Sequence, residues 1–151
     1  MATVYCSIDD LLERIPVADL EQLTDDVEGS AVNEVKANAA IAKADETING
    51  YLRGVLTLPL AQVPEILRHA GVALSIYNLY ARRMLSSVDG LPPVVIAERS
   101  AAIQDLERIQ RGVIVLSTGI GSDASPVSQN LFLTDKTEED RLFTSDTLNK
   151  F

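Results

Sequence analysis

Between residues 64 and 86, apolar side chains fall on nearly every side of a helix drawn through the chain. They are Ile66, Leu67, Ala70, Val72, Ala73, Leu74, Ile76, Tyr77, Leu79, Tyr80 and Ala81. Only Arg68, Gly71, Ser75, Asn78 and Arg82, spaced alternately by three and four, form a narrow polar stripe. A helix this apolar is unstable in water and must be wrapped by other elements. The spacing therefore predicts a central buried helix, opened by Pro64 at its first turn. The LTLPLAQVP stretch before it predicts an extended elbow, because the residue preceding each proline is pushed out of the α region.

The flanking patterns predict four more helices. Ser7 is placed to cap a short helix over 8–14, with Asp10 as the acid of an abbreviated capping box. Pro16 opens a second short helix over 17–23. Ile8, Leu11, Leu12, Leu20 and Leu23 are the expected inward residues of this pair. A long alanine-rich helix is expected over 31–55, with Val32, Val35, Ala39, Ala42, Ile48, Leu52 and Val55 as its apolar stripe. Gly50 and Gly54 weaken its last turns by about 1 kcal/mol each relative to alanine. The tandem prolines at 92–93 start a fifth helix ending at Arg111, with Gly112 at C′ and Ala102, Ile103, Leu106 and Ile109 facing inward. Asp105 with Arg108, and Glu107 with Arg111, are expected surface ion pairs. VIVLS at 113–117 can add a short strand or hairpin arm. The fold class is thus mainly α: a compact bundle of about five helices, two short and three long, with an extended C-terminal tail. Residues 1–117 form the helical domain, and 118–151 form a flexible linker and tail.

Composition narrows the function classes. The chain has 151 residues, 46% hydrophobic and 5% aromatic, so its core is aliphatic and suited to closely packed helices. No apolar run reaches the ~20 residues that span a bilayer, and the opening MATVYCSIDD lacks the pattern of a signal peptide. The single cysteine, Cys6, excludes an internal disulfide and fits a reducing cytoplasm. The net charge of −9 is uneven: residues 1–30 carry eight acids and one base, residues 31–117 eight acids and nine bases, and residues 118–151 six acids and three bases. A dedicated duplex-binding domain gathers positive charge instead. The near-neutral body between two acidic ends here permits a surface that DNA slides past without adhering.

Candidate chemistry is sparse. His69 lies four residues after Glu65, a spacing that serves an acid–base dyad or a surface ion pair, and the ion pair is the favoured reading. Cys6 has no basic neighbour to lower its pKa and is expected to be a packing residue. One His and one Cys cannot build a zinc site between them. Asp25, Asp26 and Glu28 resemble the start of a calcium loop, but the closing glutamate position, counted from Asp25, falls on Lys36. Gly119 and Gly121 form a GxG without the Lys-Ser/Thr of a phosphate loop. No catalytic residue, cofactor or metal is expected. Arg53, Arg68, Arg82 and Arg83 admit two readings: snorkelling or ion pairing at helix ends, or facing a partner. Leu142, Phe143, Leu148 and Phe151 likewise are either incidental or the anchors of a docking peptide.

Several segments in order resemble a known family. INGYL (48–52), LPLAQVP (58–64), an arginine at 68 and AGVALSIYNLYARR (70–83) look like the Mu-like phage and prophage structural proteins of the head–tail junction. YCSIDDLLERI (5–15), LTD (23–25), AIQDLERIQRG (102–112) and the ending RLFTSDTLNKF (141–151) extend the likeness over nearly the whole chain. The resemblance implies a helical head–tail connector, an adaptor or head-completion protein with no enzymatic activity. It implies a homo-oligomeric ring, typically dodecameric, beneath the portal protein. That ring extends the DNA channel toward a tail-completion protein, and DNA passes without sequence-specific binding. Synthesis in the bacterial host cytoplasm, a final place in the virion and no membrane association go with it. Arg53, Pro59, Arg68, Arg82, Arg83, Arg141, Leu142, Phe143, Leu148 and Phe151 are the expected subunit or portal contacts. The alternatives from other classes are a small helical regulatory or nucleic-acid-binding domain, and a hydrolase using Glu65 and His69.

Overall fold

The computed structural model describes residues 4–26, 31–84 and 90–116. All fall in the first of two units, Met1–Gly121; the second, Ser122–Phe151, lies outside the described residues, and with it the expected linker and docking tail. Five helices make up the described part: α1 (Ile8–Arg14), α2 (Val17–Thr24), α3 (Glu34–Leu52), α4 (Glu65–Met84) and α5 (Pro93–Gln110). The expected mainly α architecture is observed, and there is no strand among the described residues.

Local signals explain most boundaries. The Ser7 side chain accepts from the Asp10 backbone N–H, and the Asp10 carboxylate accepts from the Ser7 N–H, a complete capping box. At the end of α5, Gly112 takes φ 73°; its N–H donates to the Ile109 carbonyl and that of Val113 to the Arg108 carbonyl. This Schellman closure needs a left-handed residue, which glycine supplies at little steric cost. The same closure accounts for the missing strand at 113–116. The Val113 and Ile114 N–H groups both turn back to the Arg108 carbonyl. Ile114 and Leu116 instead pack on the core, with Val113 and Val115 exposed.

Helix α3 departs from the expected 31–55 at both ends and in its facing. It begins after Asn33, whose side chain accepts from the Lys36 N–H at 3.2 Å, and it ends at Leu52. Its buried stripe is Ala37, Ala40, Ile41, Ala44, Asp45, Ile48 and Leu52. Val35 is 79% exposed, Val55 is 42% exposed, and Ala39 and Ala42 face solvent. Ile48 and Leu52 are buried as expected; alanine carries little amphipathic signal, so the valines misplace the stripe elsewhere along the helix.

Helix α4 contacts all four other helices, which is why apolar residues cover most of it. Two buried clusters result. One joins Ala44, Ile48 and Leu52 of α3 to Leu67, Ala70 and Leu74 of α4 and to Ala102, Leu106 and Ile109 of α5. The other joins Leu11, Leu20 and Leu23 of α1 and α2 to Ala40, Ile41, Val72, Ile76, Leu79 and Val95. Late α3 meets early α4, and late α4 meets early α5, so successive long helices run in opposite directions. Each fully buried leucine contributes about 1.5–3 kcal/mol relative to exposure. The elbow between α3 and α4 packs Leu56, Leu58, Leu60 and Val63 on the first cluster and contains a cis Leu58–Pro59 bond.

The polar stripe of α4 is a seam between elements. Gly71 and Ser75 are buried beneath the N-terminal segment. A Cβ at Gly71 would lie 3.3 Å from Cys6 Sγ and 3.3 Å from Tyr5 Cβ, so its absence permits the close approach. Ser75 Oγ is 3.6 Å from Cys6 Sγ, and Asn78 Nδ2 donates to the Ala40 carbonyl at 3.1 Å. Tyr5 anchors the segment further, donating its N–H to Asp45 Oδ1 at 3.1 Å and its hydroxyl to Asn49 Oδ1 at 2.6 Å.

Candidate functional site

The expected contact residues separate into three groups. Arg53 and Pro59 are exposed, at the end of α3 and in the elbow. Arg68 is exposed and bridges α4 to α1: its guanidinium meets Glu65 Oε1 at 2.7 Å and Asp10 Oδ1 at 3.5 Å. That guanidinium, by its hydrogen bond, holds the Glu65 carboxyl below its ordinary range. Asp10 is also held low, chiefly by the Ser7 backbone N–H.

Arg82 and Arg83 instead close the end of α2. Arg82 donates to both Asp26 carboxylate oxygens, at 2.9 and 3.1 Å, and to the Leu23 carbonyl. Arg83 donates to the Gln22 and Asp25 carbonyls. The last carbonyls of a helix lack intrahelical donors, and cations there also favour the dipole. Thr24 completes the junction, donating to the Leu20 carbonyl at 2.7 Å while accepting from the Asn33 N–H at 3.0 Å. Arg141, Leu142, Phe143, Leu148 and Phe151 lie outside the described residues.

The candidate chemical groups have plain geometry. His69 Nε2 is 3.1 Å from Glu65 Oε1, with the histidine side chain 76% exposed. Glu65 is shared with Arg68 and kept charged, which makes it a weak base. Burial pushes the Cys6 thiol up to about 11, so it stays protonated at neutral pH. Its expected packing role is what the structure shows. Asp26, read as part of a calcium-like loop, is bound by Lys36 Nζ at 2.5 Å and by Arg82, whose hydrogen bonds hold its carboxyl low. Glu28 falls outside the described residues. Asp105–Arg108 and Glu107–Arg111 are ion-paired at 3.2 and 2.9 Å, as the spacing predicts.

The feature that the sequence reading missed is a groove of about 470 Å³ between α4 and α5, with Arg14 at its mouth. Ile66, Ala70, Val72, Ala73, Ala101 and Ala102 line it, and Arg14, His69, Glu98 and Asp105 form the rim. Arg14 and Glu98 form an ion pair across it, from α1 to α5. A hollow of about 210 Å³ adjoins it, lined by Asp10, Glu13, Arg14, Glu65, Arg68, His69 and Val72. The legible signal was the pairing of small residues, Ala70 and Ala73 on one helix with Ala101 and Ala102 on the next. Small facing side chains leave space where larger ones interdigitate.

Residues 5–134 match the profile of the family described as Bacteriophage Mu, Gp36. The chain is also 27% identical over 124 residues to the Mu-like prophage FluMu protein gp36 of Haemophilus influenzae, covering 82% of each chain. No helix among the described residues is long and apolar enough to cross a membrane.

Proposed function

Since the chain belongs to the bacteriophage Mu Gp36 family, we propose that it is a virion structural protein of the head–tail junction. It acts as an adaptor, or head-completion protein: copies bind beneath the portal protein and close into a ring, dodecameric in the virion. The ring extends the DNA channel toward a tail-completion protein. The observation that carries this reading is the profile match over 5–134, which spans the whole helical unit. The function is assembly rather than catalysis. The one histidine's partner, Glu65, is held by Arg68, and the one thiol is buried and protonated. A net charge of −9 keeps channel DNA from adhering without sequence-specific contacts. The exposed elbow around Arg53 and Pro59, together with Arg68, offers one contact surface, and residues 141–151 a second. Arg82 and Arg83 contribute by fixing α2 against α4.

The test is deletion of the coding sequence from an inducible phage or prophage, with electron microscopy of the lysate. The expected outcome is DNA-containing heads and separate tails that do not join, restored by the gene in trans. Purified wild-type particles should contain the chain alongside portal protein. Normal particles in the deletion, or absence of the chain from purified virions, would overturn the reading.

A further inference from the structure

The groove between α4 and α5 presents apolar surface whose surrounding charges are already matched within the chain. Glu98 is paired with Arg14, Asp105 with Arg108 and His69 with Glu65. An occupant that brought a strong charge would bury it without a partner. What the groove lacks is apolar cover over its alanine floor. Its volume of about 470 Å³ lies within the ~300–1,000 Å³ of clefts that seat small ligands, with room for several large side chains.

We propose that this groove receives residues 141–151 of a second copy of the chain. The proposal rests on the ring-forming reading above and names the contact that closes the ring. Two segments beyond the described residues cluster large apolar residues: Leu131, Phe132 and Leu133, and then Leu142, Phe143, Leu148 and Phe151. Charge separates them. Residues 130–140 carry four acids and one base, a net of −3, whereas 141–151 carry two bases and one acid, a net of +1. Residues 1–116, with 16 acids and ten bases, have a net of −6. Like charges brought together at an interface penalise the first segment, and opposite charges favour the second. A head-to-tail ring requires two unlike, complementary surfaces on each subunit. An apolar groove and a weakly basic peptide with four apolar anchors are such a pair.

The experiment uses the full chain with Ala101→Cys and Phe143→Cys together, equilibrated in a glutathione redox buffer and run on non-reducing gels. Ala101 is exposed, so the substitution is compatible with folding, and helicity by circular dichroism checks it. Cys6 stays in place, because its buried, protonated thiol does not compete. The expected result is a ladder of covalent oligomers from the double variant. Mixing the two single variants should give a covalent dimer and nothing larger. A disulfide formed only within one chain, or none at all, would overturn the proposal; Ala73→Cys with Phe143→Cys repeats the test from the facing helix. A missing ladder with the wild-type chain still present in purified particles removes the tail-in-groove contact alone. Absence of the chain from particles removes the adaptor reading instead.

Discussion

Asp45 is an acid on the inward face of α3, 7% exposed. Burial raises its carboxyl above the ordinary aspartate range, opposed in part by the Tyr5 N–H. A carboxyl whose native pKa lies above its unfolded value binds its proton more readily in the folded chain. Stability therefore falls as pH rises through that window, and the whole penalty is present at neutral pH. Asp45→Asn keeps an oxygen to accept from Tyr5 and removes the charge. It is expected to raise the thermal midpoint at pH 7, with the gain shrinking as pH falls toward 3.8, the ordinary aspartate value. Asp10 and Asp26 act in the opposite sense. Their carboxyls are held low, so their stabilisation is present above 3.8 and is lost as pH falls through their native values. Melting curves of wild type minus variant across pH isolate Asp45 from both. A variant that melts lower than wild type at pH 7 would show that the charge itself, through the Tyr5 N–H, outweighs its desolvation.

At the scale of elements, α1, α2 and α5 were legible because their ends are written locally. Ser7 with Asp10, Pro16, Pro93 and Gly112 each act within a few residues of themselves. The burial of α4 was legible because apolar residues cover most of its circumference. What covers its polar stripe was not legible, since Gly71 and Ser75 are buried by a segment about 70 positions away that no local pattern announces. The groove was missed for a similar reason: its only trace is small residues on two separate helices, which no pattern on either one brings together. In helix α3 the expected Ile48 and Leu52 are buried, but Val35, Ala39 and Ala42 point outward, and a pair of substitutions tests the observed face of its first half. Ile41→Ala removes a side chain 4% exposed in the second cluster and is expected to cost about 2–5 kcal/mol in chemical denaturation. Val35→Ala, at a site 79% exposed, should stay within ~0.5 kcal/mol of wild type. Equal losses at both positions would contradict the assigned face.

At the scale of the molecule, one half of the proposed assembly contact, residues 141–151, is expected to be separable from stability. Among the described residues, the two clusters and their packed neighbours lie between Tyr5 and Leu116. Deleting residues 141–151 leaves every one of those side chains in place, and it removes two of the chain's 13 bases and one of its 22 acids. The expected result is a truncated chain that still folds cooperatively, with an unfolding free energy within the ~0.5 kcal/mol of wild type that is typical of surface changes. Under the proposed tail-in-groove contact its incorporation into particles should be lost, because each copy would keep its groove and lack the peptide that fills the next one. A ring built from heterologous contacts fails when either surface is missing, so a few truncated copies among wild-type ones should also interrupt it. Dominant interference in mixed expression, scored as tailless heads, is the distinguishing readout. Truncated chains incorporated as well as wild type would place the subunit contact elsewhere, on the exposed elbow around Arg53 and Pro59.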